Sequence, residues 1–174
     1  RQVRQNILKA NDHTAADNRA TFAASGVRAI NLVSSPGSGK TALLERTLRD
    51  LAGQLAMGVA VGDLATENEN DAARLRQWGS QAEQIVTGTI CHLDAAMVGA
   101  VLPRFDLTAL DVLFLESVGN LVCPSSYDLG EAARAVLIST TEGEDKPLKY
   151  PTMFNTADVV VITKMDLADA VGFD

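Results

Sequence analysis

The chain is poor in cysteine, with only Cys91 and Cys123 among 174 residues. Two thiols cannot build the bridged framework of a small secreted domain. The fold must therefore rest on a hydrophobic core, and the expected compartment is the reducing cytoplasm. Positive charge is also scarce: 15 lysines and arginines face 22 aspartates and glutamates, a net charge of −7. That balance excludes a nucleic-acid partner held by a broad basic surface. No apolar run approaches the roughly 20 residues of a membrane span, so no membrane partner is expected. The polar, charged N-terminus carries no secretory signal, and a start at Arg1 rather than Met is what trimmed ends would give. What is present is 47% hydrophobic residues, enough for one compact domain with a sizeable core.

Residues 34–41 read Ser-Ser-Pro-Gly-Ser-Gly-Lys-Thr after the apolar run Ile30-Asn31-Leu32-Val33. This is the pattern of a phosphate-binding loop between a strand and a helix. Backbone N–H groups around Gly37, Ser38 and Gly39 would converge on a polyphosphate. Lys40 would add a point charge, and the Thr41 hydroxyl would hold Mg²⁺. A helix opening near Thr41 points its positive end at the anion. Ser34 stands where the motif usually has its first glycine. An ordinary Gly/Pro/Ser turn with an exposed lysine is the plain alternative.

Around this loop the pattern predicts an α/β fold in three layers, a mostly parallel central sheet with helices on both faces. Residues 1–27 form an N-terminal helical segment, interrupted at Asn11 and Asp12 by a capping signal and stopped by Gly26. Residues 28–174 form the nucleotide-binding domain. Strands are expected at Arg28–Ser34, Met57–Val61, Gln84–Thr87, Asp111–Leu115, Ala135–Ser139 and Ala157–Thr163. Helices are expected at Thr41–Leu51, Asn70–Trp78 and His92–Leu102. The polar stretch Thr140–Lys149 reads as a long loop, either solvated surface or a mobile ligand-sensing segment.

Thr163-Lys164-Met165-Asp166 follows the last strand and matches the guanine pattern [NT]-K-x-D. The Asp166 carboxylate would accept from guanine N1–H and the exocyclic amine, donors that adenine does not offer. The Lys164 stem would lie along the base. This favours GTP over ATP, although four residues alone also describe a strand-end turn. Asp63 and Glu116 end strands and are candidates for Mg²⁺, with Asp71 a weaker one. Glu116-x-x-Gly119 occupies the place of the D-x-x-G that senses a terminal phosphate. A surface acid at a strand end is the alternative for each carboxylate.

Cys91-His92 and Cys123 follow strand ends that a parallel sheet brings to one edge. Two thiolates and an imidazole suit Ni²⁺ or Zn²⁺, and a helix starting at His92 would favour the thiolate. Two lone cysteines are equally what small buried hydrophobes look like, and His92 then becomes a polar first-turn residue. Three ligands leave a tetrahedral ion one short, a gap that a two-fold dimer axis would fill.

Several segments carry a resemblance. They are Asn31–Thr41, Asn70–Arg74, Thr87-Gly88 with Cys91-His-Leu-Asp-Ala95, Glu116-Ser-Val-Gly-Asn-Leu-Val-Cys-Pro124, Asp128-Leu-Gly-Glu131, Thr141–Pro151 with Met153-Phe154, and Lys164-x-Asp166. Together they resemble the hydrogenase-maturation nickel-insertion GTPases of the HypB type, in the dimerising class of phosphate-loop GTPases. The resemblance implies a phosphate-loop NTPase fold and GTP hydrolysis to GDP coupled to nickel delivery into the [NiFe]-hydrogenase large subunit. It also implies a nucleotide-promoted homodimer, a HypA-type nickel/zinc accessory protein as partner, and a cytoplasmic location. Cys91, His92 and Cys123 become the Ni²⁺/Zn²⁺ ligands. Gly37 to Thr41 with Lys164 and Asp166 bind the nucleotide, and Lys40, Glu116 and Gly119 act on it. Thr41, Asp63 and Glu116 hold Mg²⁺, and Lys146 and Lys149 become candidate dimer or nucleotide contacts.

The chain departs from the family at Ser117, where Asn is common, and lacks the upstream cysteine or His-rich motif. It stops at Asp174, before the family's last strand, second guanine loop and final helix. No water-activating base can be named, so slow turnover is expected. The rival readings are a sister chaperone for urease or a cobalamin enzyme, and a phosphate-loop small-molecule kinase.

Overall fold

Strand β1 (Arg28–Ser34) lies inside a six-stranded sheet with β2 (Met57–Asp63), β3 (Gln81–Val86), β4 (Val112–Glu116), β5 (Ala133–Ser139) and β6 (Val159–Thr163). The computed structural model of the chain describes residues 2–64 and 70–174. The strand order is β3-β2-β4-β1-β5-β6. Every pairing is parallel, so the "mostly parallel" expectation resolves to a fully parallel sheet. Ile30 is in register with Phe114 on one side and Ala133 on the other.

Two layers of helix cover the sheet because its central strands are apolar on both faces. Along β2, Val59 and Val61 pack with Leu44 and Leu48 of α2 (Lys40–Asp50) and Leu75 of α3 (Asn70–Arg76). The alternate residue Ala60 turns to the other face. There it joins Phe22 of α1 (Gln2–Ser25), Val98 and Val101 of α4 (Ala95–Val101), and Leu113 and Leu115 of β4. A smaller cluster of Val33, Leu121, Val136 and Met153 closes the end beneath the phosphate loop segment.

Three expectations are corrected. Helix α1 runs unbroken from Gln2 to Ser25. Asn11 does not cap a new helix because its amide binds neighbouring segments instead, donating to the Asp128 carbonyl and accepting from Ala95 N–H. Helix α4 begins at Ala95 rather than His92, since Asp94 accepts from Met97 N–H at 2.8 Å and is the N-cap. The stretch Thr140–Lys149 is not a long loop. A capping box between Ser139 and Glu142 opens a helical turn at Thr140–Glu142, followed by the short helices α5 (Lys146–Lys149) and α6 (Pro151–Asn155). One more short helix, α7 (Ala168–Val171), follows β6.

Candidate nucleotide and metal sites

The phosphate loop leaves the C-terminal end of β1, where ligands gather on a parallel sheet. Gly37 and Gly39 sit at φ +73° and +93°, a region open to glycine and costly for other residues. Lys40 is buried, and its Nζ donates to Ser34 Oγ at 2.8 Å. The serine that replaces the motif's first glycine therefore seats the lysine. Burial lowers the Lys40 pKa, and Glu116, Glu142 and Asp71 partly oppose the shift. Ser38 Oγ donates to Glu142 Oε1 at 2.7 Å, and Thr163 Oγ1 donates to the Ser38 carbonyl at 2.7 Å. Glu142 is absent from the site residues that the sequence patterns single out, although the Ser-x-x-Glu capping box from Ser139 is a signal for it. Burial works against its ionisation, yet hydrogen bonds from Ser35, Ser38 and Ser139 hold its carboxyl below the usual range.

Glu116 ends β4 and is almost fully buried. Thr41 Oγ1 donates to its Oε1 at 2.8 Å, while Oε2 is buried with no hydrogen-bond partner. Burial raises the Glu116 carboxyl above its ordinary pKa, partly offset by Thr41 and Lys40. A buried, unmatched carboxylate oxygen beside a hydroxyl fits a hard cation. Lys40, Thr41, Asp63, Asp71, Glu116 and Gly119 line one cleft of about 260 Å³. Asp63 reaches it from β2 while accepting from Leu64 N–H at 2.7 Å. A Cβ on Gly119 would stand 2.9 Å from Pro36 Cα, so this segment lies hard against the phosphate loop.

Lys164 and Asp166 lie outside that cleft, exposed beyond the end of β6. Lys164 is the one described non-glycine residue with positive φ, at +57°. Its carbonyl accepts from Thr140 Oγ1 at 2.8 Å and Leu167 N–H at 2.9 Å, which fixes the turn. The Thr163–Ser38 bond ties this turn to the phosphate loop. Lys146 sits 3.8 Å from Glu142, and Lys149 pairs with the exposed Asp145.

Cys91, His92 and Cys123 do meet. One ligand atom from each lies within 4.8 Å of the others, and the two sulfurs are 3.0 Å apart. Both cysteines are free thiols. The His92 Nδ1 is buried without a partner, and burial lowers the imidazole pKa towards the neutral, ligating form. The Tyr127 ring packs on the imidazole at 4.0 Å between centroids. Asn120 spans the loops: it donates to the Cys91 carbonyl at 3.3 Å and accepts from Val122 N–H at 2.8 Å and Cys123 N–H at 3.4 Å. With α4 starting at Ala95, Cys91 and His92 precede the helix rather than form its first turn. The Cys91 sulfur and burial instead push the Cys123 thiol up. Two sulfurs and an unpartnered imidazole nitrogen form a soft donor set suited to Ni²⁺ or Zn²⁺.

A buried polar chain runs under both sites. Ser117 Oγ donates to Asn31 Oδ1 at 3.0 Å, and Asn31 donates to Glu131 Oε1 at 3.1 Å. Glu131 pairs with Arg134 at 2.7 Å, and Arg134 donates to the Tyr127 carbonyl at 2.8 Å.

The chain is similar to known proteins. The hydrogenase maturation factor HypB of Rhizobium leguminosarum bv. viciae is 53% identical over 99% of the chain and 57% of its own length. HypB of Escherichia coli (strain K12) is 49% identical over 99% of the chain and 59% of its length. The crystal structure of HypB from Helicobacter pylori in complex with nickel superposes with a TM-score of 0.88 at 46% identity, covering 95% of this chain and 77% of that one. The chain thus spans a little over half the length of the curated relatives it matches. The CobW/HypB/UreG nucleotide-binding domain matches residues 28–174. With its phosphate loop at the end of β1 and its fully parallel sheet, the chain belongs to the CobW/HypB/UreG family of phosphate-loop NTPases.

Proposed function

We propose that the chain is the GTP-binding, GTP-hydrolysing part of a nickel metallochaperone for [NiFe]-hydrogenase maturation. One observation carries this reading. The short segment 116–123 has Glu116 on Thr41 of the phosphate loop at one end and Cys123 in the sulfur–imidazole cluster at the other. A change at the phosphates therefore has a direct covalent route to a metal ligand.

Lys40 and the N–H groups of Gly37 to Thr41 bind and orient the phosphates, and Lys40 offsets the charge that develops on the transferred group. Thr41 and Glu116, with Asp63, would hold Mg²⁺, which would supply neutralisation of the phosphate charge. Gly119, against Pro36 of the phosphate loop, would sense the terminal phosphate through its N–H. Asp166 and Lys164 select guanine. In this reading Asp63 and Glu116 are taken up by Mg²⁺ and Asp71 pairs with Arg74 at 3.2 Å, so no carboxylate of the cleft is assigned to activate water and slow turnover is expected. Cys91, His92 and Cys123 hold Ni²⁺ or Zn²⁺ as cargo, and a second copy of the chain would complete the coordination. The hydrogenase large subunit and a HypA-type accessory protein are the proposed partners in the cytoplasm. Among the described residues no helix is long and apolar enough to cross a membrane.

Competition between GTP and ATP tests the nucleotide half, and Ni²⁺ titration of Cys91→Ser and Cys123→Ser tests the metal half. GTP preference and weakened Ni²⁺ binding in folded variants are expected. Equal competition by ATP would point to a kinase-like site, and unchanged Ni²⁺ affinity in both variants would refute the ligand set.

A further inference from the structure

Helix α1 precedes the matched domain, yet its polar side chains reach the metal loops. Asn11 is 8% exposed and Asn18 4% exposed, both rare levels for an amide without full hydrogen bonding. Asn11 accepts from Ala95 N–H at 2.9 Å and donates to the Asp128 carbonyl at 2.8 Å. Two turns further along the same helical face, Asn18 donates to the Ala95 carbonyl at 2.8 Å and the Leu129 carbonyl at 3.1 Å. Both amides bridge the same two segments. Ala95 follows His92 by three residues, and Asp128 follows Tyr127, whose ring lies on His92. The approach is close: a Cβ on Gly130 would stand 2.6 Å from the Ala15 carbonyl.

We propose that Asn11 is a positioning residue of the metal site, riveting the Cys91-His92 segment to the segment that follows Cys123. The inference rests on the nickel reading above. The neighbouring ion pair between Arg19 and Asp128 is half exposed and contributes little to such a rivet. Asn11, by contrast, is buried and uses donor and acceptor at once. Truncating it leaves Ala95 N–H and the Asp128 carbonyl unpaired and removes one of the links, beside those of Asn18 and Asn120, that set the distance between two ligand-bearing loops. Supporting groups of this kind typically change metal affinity by about 10–100-fold when removed.

The test uses the full chain and follows the sulfur-to-nickel charge-transfer band and affinity during Ni²⁺ titration, with GTP affinity measured in parallel. Four variants are compared: Asn11→Ala, Asn11→Asp, Cys123→Ser, and Phe22→Leu, a buried α1 residue of the apolar core whose side chain makes no hydrogen bond. Asn11→Ala is expected to weaken Ni²⁺ binding by about 10–100-fold and to shift the band, with GTP affinity unchanged. Asn11→Asp keeps the acceptor for Ala95 N–H and should fall between it and the unsubstituted chain, so it carries the test if the alanine variant does not fold. Phe22→Leu should lower stability and leave the band in place. Wild-type Ni²⁺ behaviour in both Asn11 variants, while Cys123→Ser loses binding, would overturn the role of Asn11 alone. Equal losses in Asn11→Ala and Phe22→Leu would also overturn it, reducing it to general stability. If Cys123→Ser binds Ni²⁺ normally, the site assignment itself falls, and the Asn11 role with it.

Discussion

Two buried charged residues in the phosphate cleft are held at a cost to the ligand-free fold. Burial depresses the Lys40 pKa and raises that of Glu116, the signature of groups kept for function. Lys40→Met should therefore raise the stability of the ligand-free chain by about 0.5–2 kcal/mol while abolishing GTP binding, seen as loss of the GTP-induced rise in Tm. For Glu116 the sign follows from linkage. Its folded pKa lies above the unfolded value, so the native state holds the proton more tightly. The associated stability is present at acidic pH and is lost as pH rises from the ordinary carboxylate range through the raised value. Glu116→Gln should remove that loss, making the ligand-free chain more stable at pH 8 but not at acidic pH in urea unfolding. It should also lose the Mg²⁺ dependence of GTP binding. Equal effects at both pH values would contradict the buried-carboxylate argument.

At the scale of elements, the decisive contact is between segment 116–123 and the phosphate loop. Gly119→Ala places a methyl against the Pro36 backbone, which a flexible side chain could not relieve. Overpacking of this kind costs about 1–3 kcal/mol. GTP affinity should drop, and any effect of GTP on Ni²⁺ affinity should shrink, as calorimetric titrations with and without nucleotide would show. Much of this scale was legible in the sequence. Arg28–Ser34 was read to the residue because a run apolar on both faces ends at the Ser-Ser-Pro-Gly turn. The cysteine-bearing loops were placed together because parallel strands deliver their following loops to one edge. The start of α4 was misread because Cys91-His92 looks like a first turn until Asp94 is recognised as the cap. The stretch 140–149 was misread because its charge masked a capping box whose glutamate turns inward to Ser38. No pattern in α1 announced Asn11 or Asn18, since a buried amide is defined by partners 77 to 117 residues away.

At the scale of the whole molecule, one edge of the sheet differs from the rest. Strand β6 is outermost, and Val159, Val160 and Ile162 are 54%, 47% and 45% exposed in this chain. An exposed apolar edge strand is a template for pairing with a further strand, whether of a longer protein or of another chain. Val160→Lys should reduce light scattering when the chain is concentrated or heated, with the GTP response retained; undiminished scattering would place the association elsewhere.

The amides of α1 also carry a consequence for the order in which the molecule assembles. Asn11 is separated from its partners Ala95 and Asp128 by 84 and 117 residues. Contacts so distant in the chain pay their loop-closure entropy late, after the strands between them have collapsed. The phosphate loop is no earlier: Ser38 and Thr41 bond Glu142 and Glu116, 104 and 75 residues away. During refolding, the phosphate loop and the cysteine-bearing loops should therefore become competent together, which anion and Ni²⁺ titrations at set refolding times would check.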